Sequence, residues 1–219
     1  MRVSVIYVYP MVQLARYYPL AERFAQTWKA HDPGYPCQLN VIGNGGEVPQ
    51  LHRASFSGIP NCEFREYGNQ GWDIGAYQWA AETIPCDLMV CLGAPVHFHK
   101  AGWLDRMVEA FATHGPGLFG IAAYQFPEIH IRTTAFWFSP ELLQSYPMVV
   151  GSQRASRYAF EHGRDSFTKH VMKSGFPCKM VTWSGEYDVQ NWTPSPFSPV
   201  INGPPGNREV IVYDQFIHQ

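Results

Sequence analysis

The sequence predicts a single three-layer α/β domain built on a mixed, mainly parallel sheet, and three observations point there. Runs rich in β-branched and aromatic residues alternate with segments whose apolar residues recur at helical spacing. The stretch Asp87–Leu92 (DLMVCL) is apolar throughout after one acid, as suits a central strand covered on both faces. Gly and Pro close each segment within a few residues, with no repeat, low-complexity run or linker before about residue 190.

The elements follow in order. Arg2–Tyr9 (RVSVIYVY) reads as a buried first strand ending at Pro10. Leu14, Tyr17, Tyr18, Ala21, Phe24, Ala25 and Trp28 share a helical face, with Pro19 near the helix start or at a kink. Cys37–Ile42 and the alternating Cys62–Tyr67 are the next strands. Asp73 is placed to cap a helix over Ile74–Thr83, and Asp87–Leu92 is the central strand. A helix over Trp103–Ala112, strands over Leu118–Tyr124 and His130–Phe138, and a helix start at Ser139-Pro140-Glu141 come next. One helix over Arg157–Ser174 and a strand over Cys178–Trp183 complete a domain spanning 1–189. Residues 190–219 form a Pro/Gly-rich tail expected to pack on it.

Composition excludes several classes. The 219 residues suffice for one domain with a substantial core. Sixteen Lys and Arg against 18 Asp and Glu leave no broad basic surface for nucleic acid. No apolar run approaches a membrane span, and no secretory leader is recognisable at the start, so a cytoplasmic setting is expected. Five cysteines form no C-x-x-C pair and read as reduced thiols. Aromatics at 15% and charges at 16% suit a pocket for planar rings, a large core, an oligomer interface or peripheral membrane association. G-x-G-x-x-G, G-x-x-x-x-G-K-[ST] and G-x-S-x-G are all absent, which removes the usual dinucleotide, P-loop and nucleophile-elbow devices.

The informative block is Glu66-Tyr67-Gly68-Asn69-Gln70-Gly71-Trp72-Asp73-Ile74-Gly75-Ala76-Tyr77. Gly68, Gly71 and Gly75 permit close backbone approach to a bulky ligand. Asp73 either caps its helix or also accepts hydrogen bonds from a base or ribose; Trp72 and Tyr77 either stack on a ring or fill the core. The block resembles the N-x-G-x-D-x-x-A-Y stretch of rhamnan-synthesis-type and family-2-like glycosyltransferases of the GT-A fold, where this loop and helix lie against the sugar nucleotide. By order of elements the resemblance extends over about residues 1–185, through Trp103–Gly120, His130–Leu143 and Glu161–Gly175.

The resemblance implies a transferase moving a sugar from a nucleoside-diphosphate sugar to a hydroxyl of a glycan or lipid-linked glycan. It implies donor contacts from Tyr9, Asn69, Gly71, Asp73 and Tyr77. It also implies a proton-accepting carboxylate at Glu161, with Asp165 second. The pattern departs from the family after the central strand: Leu92-Gly93-Ala94-Pro95-Val96 stands where an Asp-any-Asp pair holds a divalent Mn²⁺ or Mg²⁺. Three outcomes are open: donor binding by cationic side chains without metal, a metal held elsewhere, or a non-catalytic GT-A-like module that binds a nucleotide or glycan. His97 and His99 share one face of an extended segment beside Lys100, and His130 and Arg132 share a strand face. Together these five are the cationic candidates for a diphosphate.

Overall fold

The computed structural model describes residues 1–192 and 209–214. The order of elements is β1 (Val3–Pro10), α1 (Leu14–Ala30), β2 (Gln38–Asn44), α2 (Gln50–Arg53), β3 (Cys62–Tyr67), α3 (Trp72–Thr83), β4 (Leu88–Leu92), β5 (Val96–His97) and α4 (Trp103–His114). There follow β6 (Leu118–Gly120), β7 (Ala123–Tyr124), β8 (His130–Ile131), β9 (Ala135–Phe138), α5 (Pro140–Gln144), α6 (Arg154–His162), α7 (Phe167–Lys173), β10 (Cys178–Val181), β11 (Glu186–Tyr187) and β12 (Tyr213–Asp214).

Eight strands form one sheet in the order β11-β10-β6-β9-β4-β1-β2-β3. β1 pairs in parallel with β2 and β4, and β2 with β3, whereas β9 runs antiparallel between β4 and β6. β1 is buried from Val3 to Tyr9, as its unbroken β-branched and aromatic run requires. Its one polar side chain, Ser4, accepts a hydrogen bond from Asn40 of β2 at 2.8 Å, so neither buried group is orphaned. On one face Tyr7 stacks on Phe24 of α1, and Trp28 meets Trp103 of α4 edge-on. On the other, α3 packs on β1, β2 and α5, with Tyr77 edge-on to Phe136 of β9. The sheet therefore lies between two helical layers, and the carboxyl ends of β1, β2 and β4 share one edge.

The structure differs from the sequence reading in four places. The expected helix over Arg157–Ser174 is two helices. α6 ends at Gly163, where a Cβ would lie 2.4 Å from the Ala159 carbonyl, and Ser166 opens α7. The strands expected over Leu118–Tyr124 and His130–Phe138 each break into two. At Gly120 the chain leaves the sheet under Ile131, whose Cγ2 would touch a Cβ there at 2.3 Å, and β7 and β8 form their own antiparallel ribbon. Asp73 is not the N-cap: Gly71 takes that position at φ +82°, and Asp73 sits in the first turn of α3. Pro19 stands six residues into α1 rather than at its start.

Most of the expected tail, residues 193–208 and 215–219, lies outside the described residues. Val210, Ile211 and Val212 are buried, and β12 pairs antiparallel with β5, bringing Asp214 opposite Val96. Among the described residues no helix is long and apolar enough to cross a membrane.

Candidate functional site

Among the described residues, 69–72 have an unusual backbone. Asn69 (φ +64°), Gly71 (φ +82°) and Trp72 (φ +60°) all adopt the left-handed region within four residues. For a bulky side chain such as Trp this conformation is strained, and it persists because the surroundings hold it. The Trp72 indole N–H donates to the Ser152 carbonyl at 3.0 Å, and Tyr67 donates to the Gln70 carbonyl at 2.6 Å. Two of the glycines here are required by the protein's own packing. A Cβ on Gly71 would lie 2.1 Å from the Val150 carbonyl, and one on Gly75 would lie 1.8 Å from that of Gln70.

This loop borders a cavity of about 420 Å³ at the carboxyl ends of β1, β2 and β4, with Pro10, Asn44 and Gly93-Ala94-Pro95 among its lining. Three guanidiniums reach it: Arg16 from α1, Arg132 from the β8–β9 link and Arg157 from α6. Against them stand two carboxylates. Arg157 donates to Asp73 Oδ2 at 3.1 Å, while Arg132 Nη2 lies 3.4 Å from Oδ2 of the fully buried Asp214. Burial holds the Asp73 carboxyl above its ordinary value and nearby Glu161 adds to this, while Arg157 pulls the other way. The Arg157 Nε is buried with no hydrogen-bond partner among the described residues, so its fork keeps donor capacity in reserve.

A second cavity of about 290 Å³ adjoins the first and shares Arg132, Thr134 and Arg157 with it. Glu161 enters from α6, with Oε1 accepting the Thr133 N–H at 3.1 Å and Oε2 lying 3.5 Å from His162 Nε2. His130 meets the His162 ring edge-on at 4.1 Å, and its Nδ1–H donates to the Glu128 carbonyl at 2.7 Å. Burial lowers the pKa of both imidazoles, and each is lowered further by cationic neighbours.

The expected site residues divide into four groups. Asn69, Asp73 and Arg132 line the larger cavity, and His130, Arg132 and Glu161 line the smaller one. Tyr9 is fully buried with its hydroxyl 2.7 Å from His52 Nδ1, Tyr77 is buried between α3 and Phe136 of β9, and Gly71 is crowded by Val150. His97 and His99 do face one way, both toward Tyr213 at ring distances of 5.4 and 4.2 Å. Lys100 sits over Trp183 at 4.1 Å, and none of these three is among the residues lining the two cavities. Asp165 is on the surface, paired with Lys173. Sequence reasoning missed Arg16, Arg157 and Asp214. Arg157 carried a usable signal, since it stands four residues before Glu161 on one helix. Asp214 carried none, because it reaches the cavity only through pairing of β12 with β5.

The usual metal position of this architecture does not fit the residues present. Gly93, Ala94 and Pro95 offer no side-chain ligand atom, and both carboxylates of the larger cavity already face guanidiniums.

No protein-family model matches the chain, and no curated protein matches it by sequence. Solved structures do match in fold. A mannosyltransferase PcManGT from Pyrobaculum calidifontis in complex with GDP-Man and Mn²⁺ superposes with a TM-score of 0.53 at 16% identity, covering 73% of this chain and 52% of that one. S. aureus TarS 1-349 in complex with UDP-GlcNAc gives 0.53 at 11% identity, covering 78% and 53%. A putative glucose-1-phosphate thymidylyltransferase from Bacillus anthracis gives 0.52 at 13% identity, covering 80% and 84%. The chain has a GT-A-like fold. It spans about half the length of the first two structures.

Proposed function

We propose that the chain is a glycosyltransferase that takes a nucleoside-diphosphate sugar as donor and a hydroxyl of a glycan or lipid-linked glycan as acceptor. The observation that carries this reading is the pair of adjoining cavities at the carboxyl end of a GT-A-like sheet. One presents three guanidiniums, the other the Glu161 carboxylate, and Arg132 and Arg157 stand between them. In this reading Arg16, Arg132 and Arg157 neutralise the donor diphosphate and its departing charge, the part usually played by a metal ion. Asn69 and Asp73 hydrogen-bond the base, ribose or sugar. Glu161 accepts the proton of the acceptor hydroxyl as that oxygen attacks the anomeric carbon and the nucleoside diphosphate leaves. Asp165 is too far out on the surface for that role, and Tyr9, Gly71 and Tyr77 shape the cavity walls from behind.

Val12 and Trp72, which line the larger cavity, and nearby Val149 and Tyr158 are exposed hydrophobic residues. They support an acceptor with an apolar part, such as a lipid-linked glycan met at a membrane surface, and a cytoplasmic setting belongs to the same reading. A second reading, a non-catalytic nucleotide- or glycan-binding module, is favoured by the ligand-free Gly93-Ala94-Pro95 turn. Nucleotidyl transfer lacks a glycine-rich loop after β1, where Tyr9-Pro10-Met11 stands.

A thermal-shift screen of UDP-, GDP-, TDP- and CMP-sugars, each with Mn²⁺, Mg²⁺ or EDTA, tests the proposal, because any ligand of the native state raises the melting point. A rise with a nucleoside-diphosphate sugar that survives EDTA is expected. No rise with any donor would overturn it, and a rise without turnover of the donor would favour the binding module.

A further inference from the structure

We propose that His130, Glu161 and His162 form a binding site for a divalent first-row transition ion such as Zn²⁺. Their ligand atoms all lie within 4.8 Å of one another in the smaller cavity. Donor atoms bonded at about 2.0–2.2 Å to one ion lie roughly 3–3.5 Å apart, so small side-chain rotations close the group.

Three further observations converge. His130 is only 2% exposed, and its Nδ1–H is fixed on the Glu128 carbonyl, which turns the Nε2 lone pair to the cavity as an outer-shell partner does for a metal-bound imidazole. The His162 Nδ1 is buried without a hydrogen-bond partner among the described residues. Finally, the guanidiniums that would repel a cation are each matched by a carboxylate, Arg132 by Asp214 and Arg157 by Asp73, which leaves the Glu161 charge to attract one. Two imidazoles and one carboxylate select Zn²⁺, Co²⁺, Mn²⁺ or Fe²⁺ over Mg²⁺ or Ca²⁺.

Three protein ligands leave coordination positions open to the cavity. This site lies apart from the turn after β4, and it goes beyond the transferase reading without depending on it. In the loaded state Glu161 Oε2 is occupied by the ion, so the proton-accepting role belongs to the metal-free state.

Calorimetric titration of Zn²⁺ into the full chain, with Co²⁺ absorption spectra in parallel, tests the site. One ion per chain is expected, with Co²⁺ d–d bands of an N/O set and no competition from excess Mg²⁺. His130→Ala, His162→Ala and Glu161→Gln should each weaken binding by at least about tenfold. His170→Ala, at a histidine held by Ser145 elsewhere on the surface, should leave it unchanged. Circular dichroism confirms that each variant is folded, and Glu161→Asp, which keeps the charge, should retain part of the affinity. No binding by the wild type, or binding that none of the three variants weakens, would overturn the proposal. The donor screen in EDTA does not involve this ion, so the two readings fail separately.

Discussion

Cavities open at both ends of the central strands, and the one at the amino end, with the greatest volume, lacks the chemistry. A space of about 640 Å³ lies before the amino ends of β2 and β3, bordered by Lys29, Asp32, Tyr35 and Cys37. Its two charged side chains have structural partners: Lys29 donates to the Ser55 carbonyl at 3.0 Å, and Asp32 accepts the Gly34 N–H at 2.7 Å. Burial and Asp32 push the Cys37 thiol up to about 12, which leaves it inert. At the carboxyl end the paired cavities are individually smaller, yet three arginines, two aspartates, a glutamate and two histidines converge there beside a strained loop. Volume marks where loops fail to meet. Convergent charge with unused hydrogen-bonding capacity marks where a ligand is held.

The most severe way to break this contrast is Glu161→Gln, which keeps shape and removes the proposed base. Turnover of the donor with its acceptor should fall by about 10²- to 10⁴-fold while donor affinity holds, as read by steady-state rates beside a binding titration. Next come Arg132→Ala and Arg157→Ala. Each removes charge-assisted hydrogen bonds of about 1.5–3 kcal/mol and should weaken a nucleoside diphosphate by about 10- to 100-fold. Lys29→Ala at the opposite end should leave that affinity within about twofold.

Gly71→Ala probes the loop itself. Its Cβ collides with the Val150 carbonyl and its φ of +82° disfavours any side chain, so a loss of about 1–3 kcal/mol is expected. Thermal melting should then shift down by roughly 2–4 °C per kcal/mol.

The smallest effect is in pH. His130 and His162 titrate below their ordinary value of 6.5 in the folded chain, so the unfolded chain binds more protons just below that value. Stability should fall as pH drops through 6.5 and level off below the folded values. His162→Gln should flatten that slope in denaturant titrations. Asp73 works in the opposite sense further down: its raised pKa lets the folded chain take up a proton first, which favours folding as pH falls toward 3.8.

The same contrast explains what could be read from the chain. β1, β3 and β4 were legible because a buried parallel strand must be apolar throughout and an edge strand must alternate. The block 69–73 was legible as an unusual loop because Gly and Asn at left-handed positions leave a local signature. The packing demand on Gly71 and Gly75 was not legible, since nothing local shows that the Val150 and Gln70 carbonyls press on them. The break of α6 from α7 and the departure of Arg132 from the sheet depend on contacts across the fold, at Ala159 and at Ile131. Asp214 is the extreme case, a residue placed by pairing more than a hundred positions away. Histidine and lysine clusters such as His97, His99 and Lys100 looked alike in sequence to His130 and Arg132. In the fold the first group meets Tyr213 and Trp183, from distant segments, while His130 and Arg132 line the cavities.

The central claim is that the arginine-lined cavity at the carboxyl end of the sheet holds a donor diphosphate without a metal. Calorimetric titration of UDP and GDP in EDTA into the wild type, Arg132→Ala, Arg157→Ala and Lys29→Ala tests it most directly. The account predicts saturable binding of at least one nucleotide, weakened by both arginine substitutions and untouched at Lys29. Binding that appears only with Mn²⁺, or that only Lys29→Ala abolishes, would contradict it.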